Sequence, residues 1–129
     1  MKIIKTIGRI TLVLEKRYVG DDTLILLTGG EEHIGAVALG YYDDETNIAN
    51  SSVISAPGHR EEQIALDGAR VISKETKKTT LFAAGIHLKN ITLEEISDIE
   101  KTCTSMVNEY IKCIRDEIKL NSMNSKHTH

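Results

Sequence analysis

The hydrophobic period of this chain changes at its only proline, and that junction limits the possible folds more than any other stretch. Residues 51–66, SSVISAPGHREEQIAL, begin as an apolar, β-branched run that stops at Pro57. Gly58, His59 and Arg60 follow where a helix is predicted to begin. A strand-to-helix corner of this kind points unpaired backbone N–H groups and the positive end of the helix dipole at one spot. That is the usual physical basis of an anion or phosphate site.

Before the junction the pattern is one of strands. Residues 3–19 alternate, with Ile3, Ile7, Leu12 and Leu14 set among Lys5, Thr11, Glu15 and Arg17. They predict one long, bent strand with Gly8 as a bulge. A short second strand at 24–27 ends in the glycine-rich connection 28–32. A third follows at 33–40, where Gly35 and Ala36 permit close backbone approach. The fourth strand is 48–56.

After the junction, residues 59–75 carry an apolar face of Ile64, Ala65, Ala69, Val71 and Ile72 and predict a helix. Glu61 and Glu62 lie in its first turn, where they complement the dipole. TTLFAA at 79–84 reads as a buried fifth strand. Thr92 and Glu95 fit a capping box that starts a second helix, predicted to run to about Leu120. The expected fold is therefore α+β: a single domain over 1–120 with a mostly antiparallel five-stranded sheet. The sheet is a meander plus one β-α-β crossover, packed with two helices, and 121–129 is expected to be a disordered polar tail. Because 28 residues exceed what a small sheet needs as cover, the last turns of the second helix are expected to meet another subunit.

Composition narrows the function. A chain of 129 residues suits one domain. A net charge of −3 argues against nucleic acid or an anionic membrane as partner. Without Trp and with one Phe, aromatic base-stacking platforms are not expected. No apolar run approaches the roughly 20 residues of a membrane helix, and the start of the chain alternates like a strand rather than a signal peptide. Cys103 and Cys113 lie about 15 Å apart along one predicted helix, too far to bridge. A reducing cytoplasm is the natural reading.

Three histidines are expected to share one edge of the sheet. If strands two to four form a meander, His33 begins strand three at the edge where strand four delivers Gly58, His59 and Arg60. The crossover through the first helix then brings His87, just past strand five, to the same edge. The C-terminal ends of parallel strands favour ligands. Each histidine sits beside glycine, in GGEEHIG, PGHRE and AGIHL. A histidine at a turn is also an ordinary turn residue, and single glycines mark hairpins.

The chemistry open to that edge is limited by what accompanies it. Three histidines raise the question of zinc, yet no pair has HxH or HxxxH spacing. The cysteines occupy an apolar helix face, which suits packing. Ser51, Ser52 and Ser55 lack a nucleophile-elbow pattern, and there is no Walker A or dinucleotide fingerprint. Carboxylate pairs at 31–32, 43–44, 61–62 and 94–95 suit solvated turns and helix starts. Anion binding at 57–62 remains, with His59 and Arg60 beside the helix-start amides and Gly35 and Gly85 admitting a flat ring. The plainer alternative is a simple helix start with Arg60 paired to a surface carboxylate.

At GGEEHIGAVALGYYDD, APGHREEQIA and AAGIHLKNITLEEI the chain resembles a known family over about residues 5–115. It is similar to the small accessory subunits of gallate and hydroxyarene decarboxylases, the prenylated-flavin chaperone-like domain. The resemblance implies a non-catalytic protein that delivers or retains prenylated flavin mononucleotide for a separate, large decarboxylase subunit. It also implies a fold similar to the small proteasome-assembly chaperones, usually dimeric. On matching positions the resemblance implies that cofactor binding falls to His33, Gly58, His59, Arg60, Glu61 and His87, with Gly35 added for the close backbone approach it permits. Two other readings compete: a small enzyme using His59 or His87 as general base, and a ligand-free assembly chaperone.

Overall fold

The alternation through 3–19 conceals a hairpin. The computed structural model describes residues 1–57 and 61–127, with side chains as far as Asn124. In it, β1 (Lys2–Ile7) and β2 (Ile10–Val19) pair antiparallel, with Ile7 opposite Ile10. Gly8 is therefore the first residue of a two-residue turn, not a bulge. Its φ of 54° lies in the left-handed region that glycine adopts without a Cβ penalty. Apolar residues stay in phase on both sides of the turn, so the pattern shows no break. The expected five strands are accordingly six.

The remaining elements are β3 (Asp22–Gly30), β4 (Ala36–Asp43), β5 (Ile48–Ser55), α1 (Glu62–Thr76), β6 (Thr80–His87) and α2 (Leu93–His127). The sheet order is β1-β2-β3-β6-β4-β5. The expected meander of β3, β4 and β5 is thus interrupted, because β6 lies between β3 and β4. It pairs parallel with β3 and antiparallel with β4. The five residues 31–35 can span about 16 Å, ample to step over one strand at a spacing of about 4.8 Å. β6 suits the centre because Ala83 and Ala84, on opposite faces, are both buried.

Both helices cover one face of the sheet. α1 lies on β4, β5 and β6, α2 on β1 and β2, and the helices touch each other. Gly40 of β4 sits directly under the Ala69 carbonyl of α1, and Gly68 of α1 sits on the Phe82 ring. Between the layers, Leu12, Leu14, Ile25, Leu27, Phe82 and Met106 are fully buried. Tyr110 of α2 is buried beside Thr23, and burial pushes its phenol well above the ordinary tyrosine range against the Thr23 hydrogen bond. α1 ends at Lys77, whose left-handed backbone lets its N–H reach the Ser73 carbonyl at 2.8 Å. α2 continues past Leu120 to His127, and residues 115–124 are exposed. No helix of the described residues is long and apolar enough to cross a membrane.

The capping box at the start of α2 is present and has a third member. The Glu95 N–H donates to Thr92 Oγ1 at 3.1 Å, and the Thr92 N–H donates to Glu95 Oε1 at 3.0 Å. Arg9, at the tip of the β1–β2 hairpin, donates to both Glu95 oxygens and to the Lys89 carbonyl. The Arg9 hydrogen bond, followed by that of the Thr92 backbone, holds the Glu95 carboxyl at about 2, well below its usual 4.5. A carboxyl whose pKa is lower in the folded state stabilises the fold above its unfolded pKa, and that contribution fades as pH falls through the folded value. Wild type is therefore expected to exceed Glu95→Gln in urea stability near neutral pH. The gap should close as pH drops from about 4.5 to about 2, and a gap independent of pH would refute the assignment.

Candidate functional site

The C-terminal ends of β3 and β6 meet at one edge, where Gly30 pairs with His87. The chain leaving β3 folds back over that end. The Glu31 N–H donates to the His87 carbonyl at 3.0 Å, and the Gly35 N–H donates to the Ala84 carbonyl at 2.9 Å. The Ala56 N–H, at the end of β5, donates to the Gly35 carbonyl at 2.8 Å. The loop 31–35 is thus stitched across β6 and to the strand that leads into α1. Gly85 makes this possible, since a Cβ there would overlap the His33 carbonyl oxygen and lie 2.5 Å from its carbon.

Those constraints bring His33 beside His87. The ring centroids are 6.1 Å apart and nearly perpendicular, at 86°. His33 Nδ1 lies 3.1 Å from the Glu31 carbonyl oxygen, which can only accept, so this nitrogen donates. Its Nε2 lies 3.7 Å from Glu61 Oε1. His87 Nε2 is 3.9 Å from Glu31 Oε2, and Lys89 Nζ is 3.8 Å from Glu31 Oε1. The His33 side chain is one quarter exposed and that of His87 one half, so the pair opens to solvent.

Glu61 is the anchor of the edge. It immediately precedes α1 with φ −75° and ψ −3°, yet its side chain does not cap that helix. Instead its Oε1 accepts the Ile86 N–H of β6 at 2.9 Å. Only 5% of the residue is exposed, whereas the neighbouring Glu62 is solvated and pairs with Ser55 Oγ at 2.9 Å. Gly35 gives it room, because a Cβ there would sit 2.6 Å from Glu61 Oε2. A solvated first-turn acid was the expectation for both glutamates. The sequence carries no signal that separates the two, because direction at a helix start is set by the strand it faces.

Of the expected site residues, His33, Gly35, Glu61 and His87 come together at this edge, and Gly85 joins them as the platform for His33. Gly58, His59 and Arg60 lie outside the described residues. Lys89 was not among the expected site residues; Glu31, in the GGEEHIG motif, was expected at this edge though not among the cofactor-binding residues. The parallel neighbours at the edge are β3 and β6, rather than the fourth and fifth strands of the sequence reading, since β4 separates β5 from β6.

Both cysteines are carried by α2. Cys103 is buried in α2, and burial, with the nearby carboxylates of Glu100 and Glu61, pushes its thiol up to about 12. It contributes to a cleft of about 350 Å³ between α1 and α2, whose lining includes Ile64, Val71 and Val107. Among the described residues, no three His, Cys, Asp or Glu side chains are grouped to hold a metal ion. The edge thus offers imidazole and ammonium groups, the exposed Ile34 that follows His33, and the Glu31 carboxylate, which faces His87 and Lys89.

Among solved structures, a chain of a chaperone complex for yeast 20S proteasome assembly is similar at 10% identity, with 95% of each chain covered and a TM-score of 0.39. No curated protein matches the chain. The family model of the prenylated flavin chaperone LpdD-like domain matches residues 6–115, nearly the whole folded unit, and the chain belongs to that family.

Proposed function

We propose that this chain is a non-catalytic accessory protein that binds prenylated flavin mononucleotide, or a related phosphorylated flavin, and supports a separate decarboxylase subunit. The observation that carries the reading is the His33–His87 pair, held over Gly85 at the shared end of β3 and β6, in a member of a prenylated flavin chaperone family. In this reading His87 and Lys89 contact the phosphate, while Ile34, 68% exposed, meets the ring system. The bound flavin supplies decarboxylation chemistry in the partner enzyme. This chain's own side chains hold and orient the cofactor, which requires no activated nucleophile. The expected compartment is the cytoplasm.

Glu31 makes the proposal sharper. Its carboxylate already faces His87 Nε2 and Lys89 Nζ, so an arriving phosphate has to displace it. Such exposed ion pairs are each worth about 1 kcal/mol or less, while a charge-assisted contact to phosphate contributes about 1.5–3 kcal/mol. Exchange is therefore favourable. The test is fluorescence titration with flavin mononucleotide, its prenylated form and riboflavin. Phosphorylated flavins are expected to bind more tightly than riboflavin, His87→Ala to lose about tenfold in affinity, and Glu31→Gln to bind more tightly than wild type. Arg60→Ala is expected to weaken binding as well, on the chemistry of a guanidinium beside a helix start. Absence of binding to all three would turn the reading to a ligand-free assembly chaperone.

A further inference from the structure

The sheet order β1-β2-β3-β6-β4-β5 leaves β1 and β5 with one unpaired side each. Exposed edges recruit further strands, and proteins usually guard them with short strands, lysine or proline. β1 is guarded. It has six residues and carries Lys2 and Lys5, the latter 3.4 Å from Glu109 of α2. β5 is not: its eight residues, IANSSVIS, contain no charge and no proline.

The parity of the ladder fixes which groups face outward. The Ala56 N–H donates inward, to the Gly35 carbonyl at the entrance of β4. Antiparallel strands alternate the direction of their hydrogen bonds. The even-numbered residues of β5 therefore bond towards β4, while Ala49, Ser51, Val53 and Ser55 turn N–H and C=O to the open side. The side chains of this second set lie on the helix face. Ser51 Oγ donates to the Leu66 carbonyl of α1 at 2.7 Å, and Ser55 Oγ donates to Glu62 Oε2 at 2.9 Å. Glu62, Leu66 and Arg70 are spaced by four and form one ridge along this flank of α1. Glu62 and Arg70 are exposed, with half-buried Leu66 between them.

We infer that the β5 edge binds an extended segment of another protein as an added antiparallel strand. The segment has a basic residue opposite Ser55, an acidic residue opposite Ala49 and apolar residues between. An extended backbone is what matches a ladder of outward N–H and C=O groups, and antiparallel pairing is the more stable ladder. Charge sets the ends. Glu62 is level with Ser55 and Leu66 with Ser51, which puts Arg70 towards Ala49. An apolar side chain opposite Ser51 covers Leu66, and one on the other face pairs with Ile54, which is 82% exposed.

A second copy of β5 meets these requirements poorly. Two copies paired about Ser51 oppose Ser51 to its own copy and Ala49 to Val53, so small side chains lie under the ridge. α1 covers β4, β5 and β6, of which β4 is the middle strand. The two α1 helices would then stand three strand spacings apart, about 14 Å, beyond the roughly 8–10 Å of packed helices. Leu66 would stay uncovered. The position of the edge is also informative: Ser55 directly precedes Ala56, which holds the 31–35 loop through Gly35. A docked segment therefore starts beside the loop that carries His33. The inference is independent of the flavin reading, since peptide binding and ligand titration can fail separately.

Fluorescence anisotropy of a labelled, end-blocked peptide, Lys-Val-Val-Thr-Val-Thr-Glu, tests the inference on the full chain. Saturable binding is expected at micromolar concentration. N-methylation at the second, fourth and sixth peptide residues, whose amides face away from β5, is expected to leave the affinity unchanged. N-methylation at the third and fifth, whose amides face β5, is expected to weaken binding by at least about tenfold. Arg70→Glu, at an exposed position, is expected to bind this peptide about fivefold more weakly and to prefer the peptide that ends in lysine. Absence of saturable binding, equal effects of the two methylation patterns, or an unchanged preference in Arg70→Glu would each overturn the inference. Loss of self-association in Val53→Pro, with no peptide binding by wild type, would also overturn it and give the edge to a second copy.

Discussion

Gly85→Ala is expected to lower the stability of the protein by about 3 kcal/mol or more and to abolish ligand binding at the His33–His87 edge. The added Cβ would occupy the position of the His33 carbonyl oxygen and approach the Ile34 nitrogen at 3.3 Å. Neither obstacle is the end of a flexible side chain. To make room, the 31–35 loop has to lift off β6, which strains the Gly35 N–H bond to Ala84 and the Glu31 N–H bond to His87. Each such backbone bond is worth about 1 kcal/mol, and the loss falls on the segment that carries His33. Urea unfolding measures the first effect and flavin titration the second. Wild-type stability in Gly85→Ala would mean that the loop is free to move and that His33 is not held in place by packing.

Glu61→Ala is expected to cost about 2–3 kcal/mol, with Glu61→Gln milder. The carboxylate accepts the Ile86 N–H at 2.9 Å and faces His33 Nε2 at 3.7 Å. Alanine removes the acceptor while the amide stays in a part-buried place, so the desolvation of the N–H goes uncompensated. Glutamine keeps an acceptor for Ile86 and removes the charge that His33 faces. The two substitutions therefore separate the roles. If the hydrogen bond dominates, glutamine restores most of the stability; if the charge dominates, both variants unfold at the same urea concentration. In either case the His33 ring loses one of its guides, and weaker flavin binding is expected in both.

Local chemistry was readable where it involves residues close in sequence. Thr92 and Glu95 announce the start of α2 because the capping box is closed within one turn. The α+β class follows from the change of period at Pro57. The Gly8 turn escaped notice because Ile7 and Ile10 keep the alternation in phase across it. The position of β6 was hidden for a different reason. An apolar run such as TTLFAAGI says that a strand is buried, and not which strands flank it. At the candidate site, the placement of His33 near His87 follows from strand direction alone, which is unchanged by the insertion of β6. Glu61 shows the limit: Glu61 and Glu62 are chemically identical, and only the facing Ile86 amide distinguishes the inward one from the outward one.

The central position of β6 also bears on how the protein reaches its native state. β1, β2 and β3 can zip together in sequence order, and β4 with β5 forms a second hairpin. The two pieces share no ladder until β6 arrives between them, its residues pairing with β3 residues 57 positions earlier in the chain. Loop closure over that distance is the slow kind of contact. β6 also supplies Gly85, Ile86 and His87, against which the 31–35 loop and Glu61 are fixed. A chain still waiting for β6 has no His33–His87 edge at all. Any cofactor held there is held only by molecules that have finished folding, so occupancy of the edge is a certificate of completion for this protein.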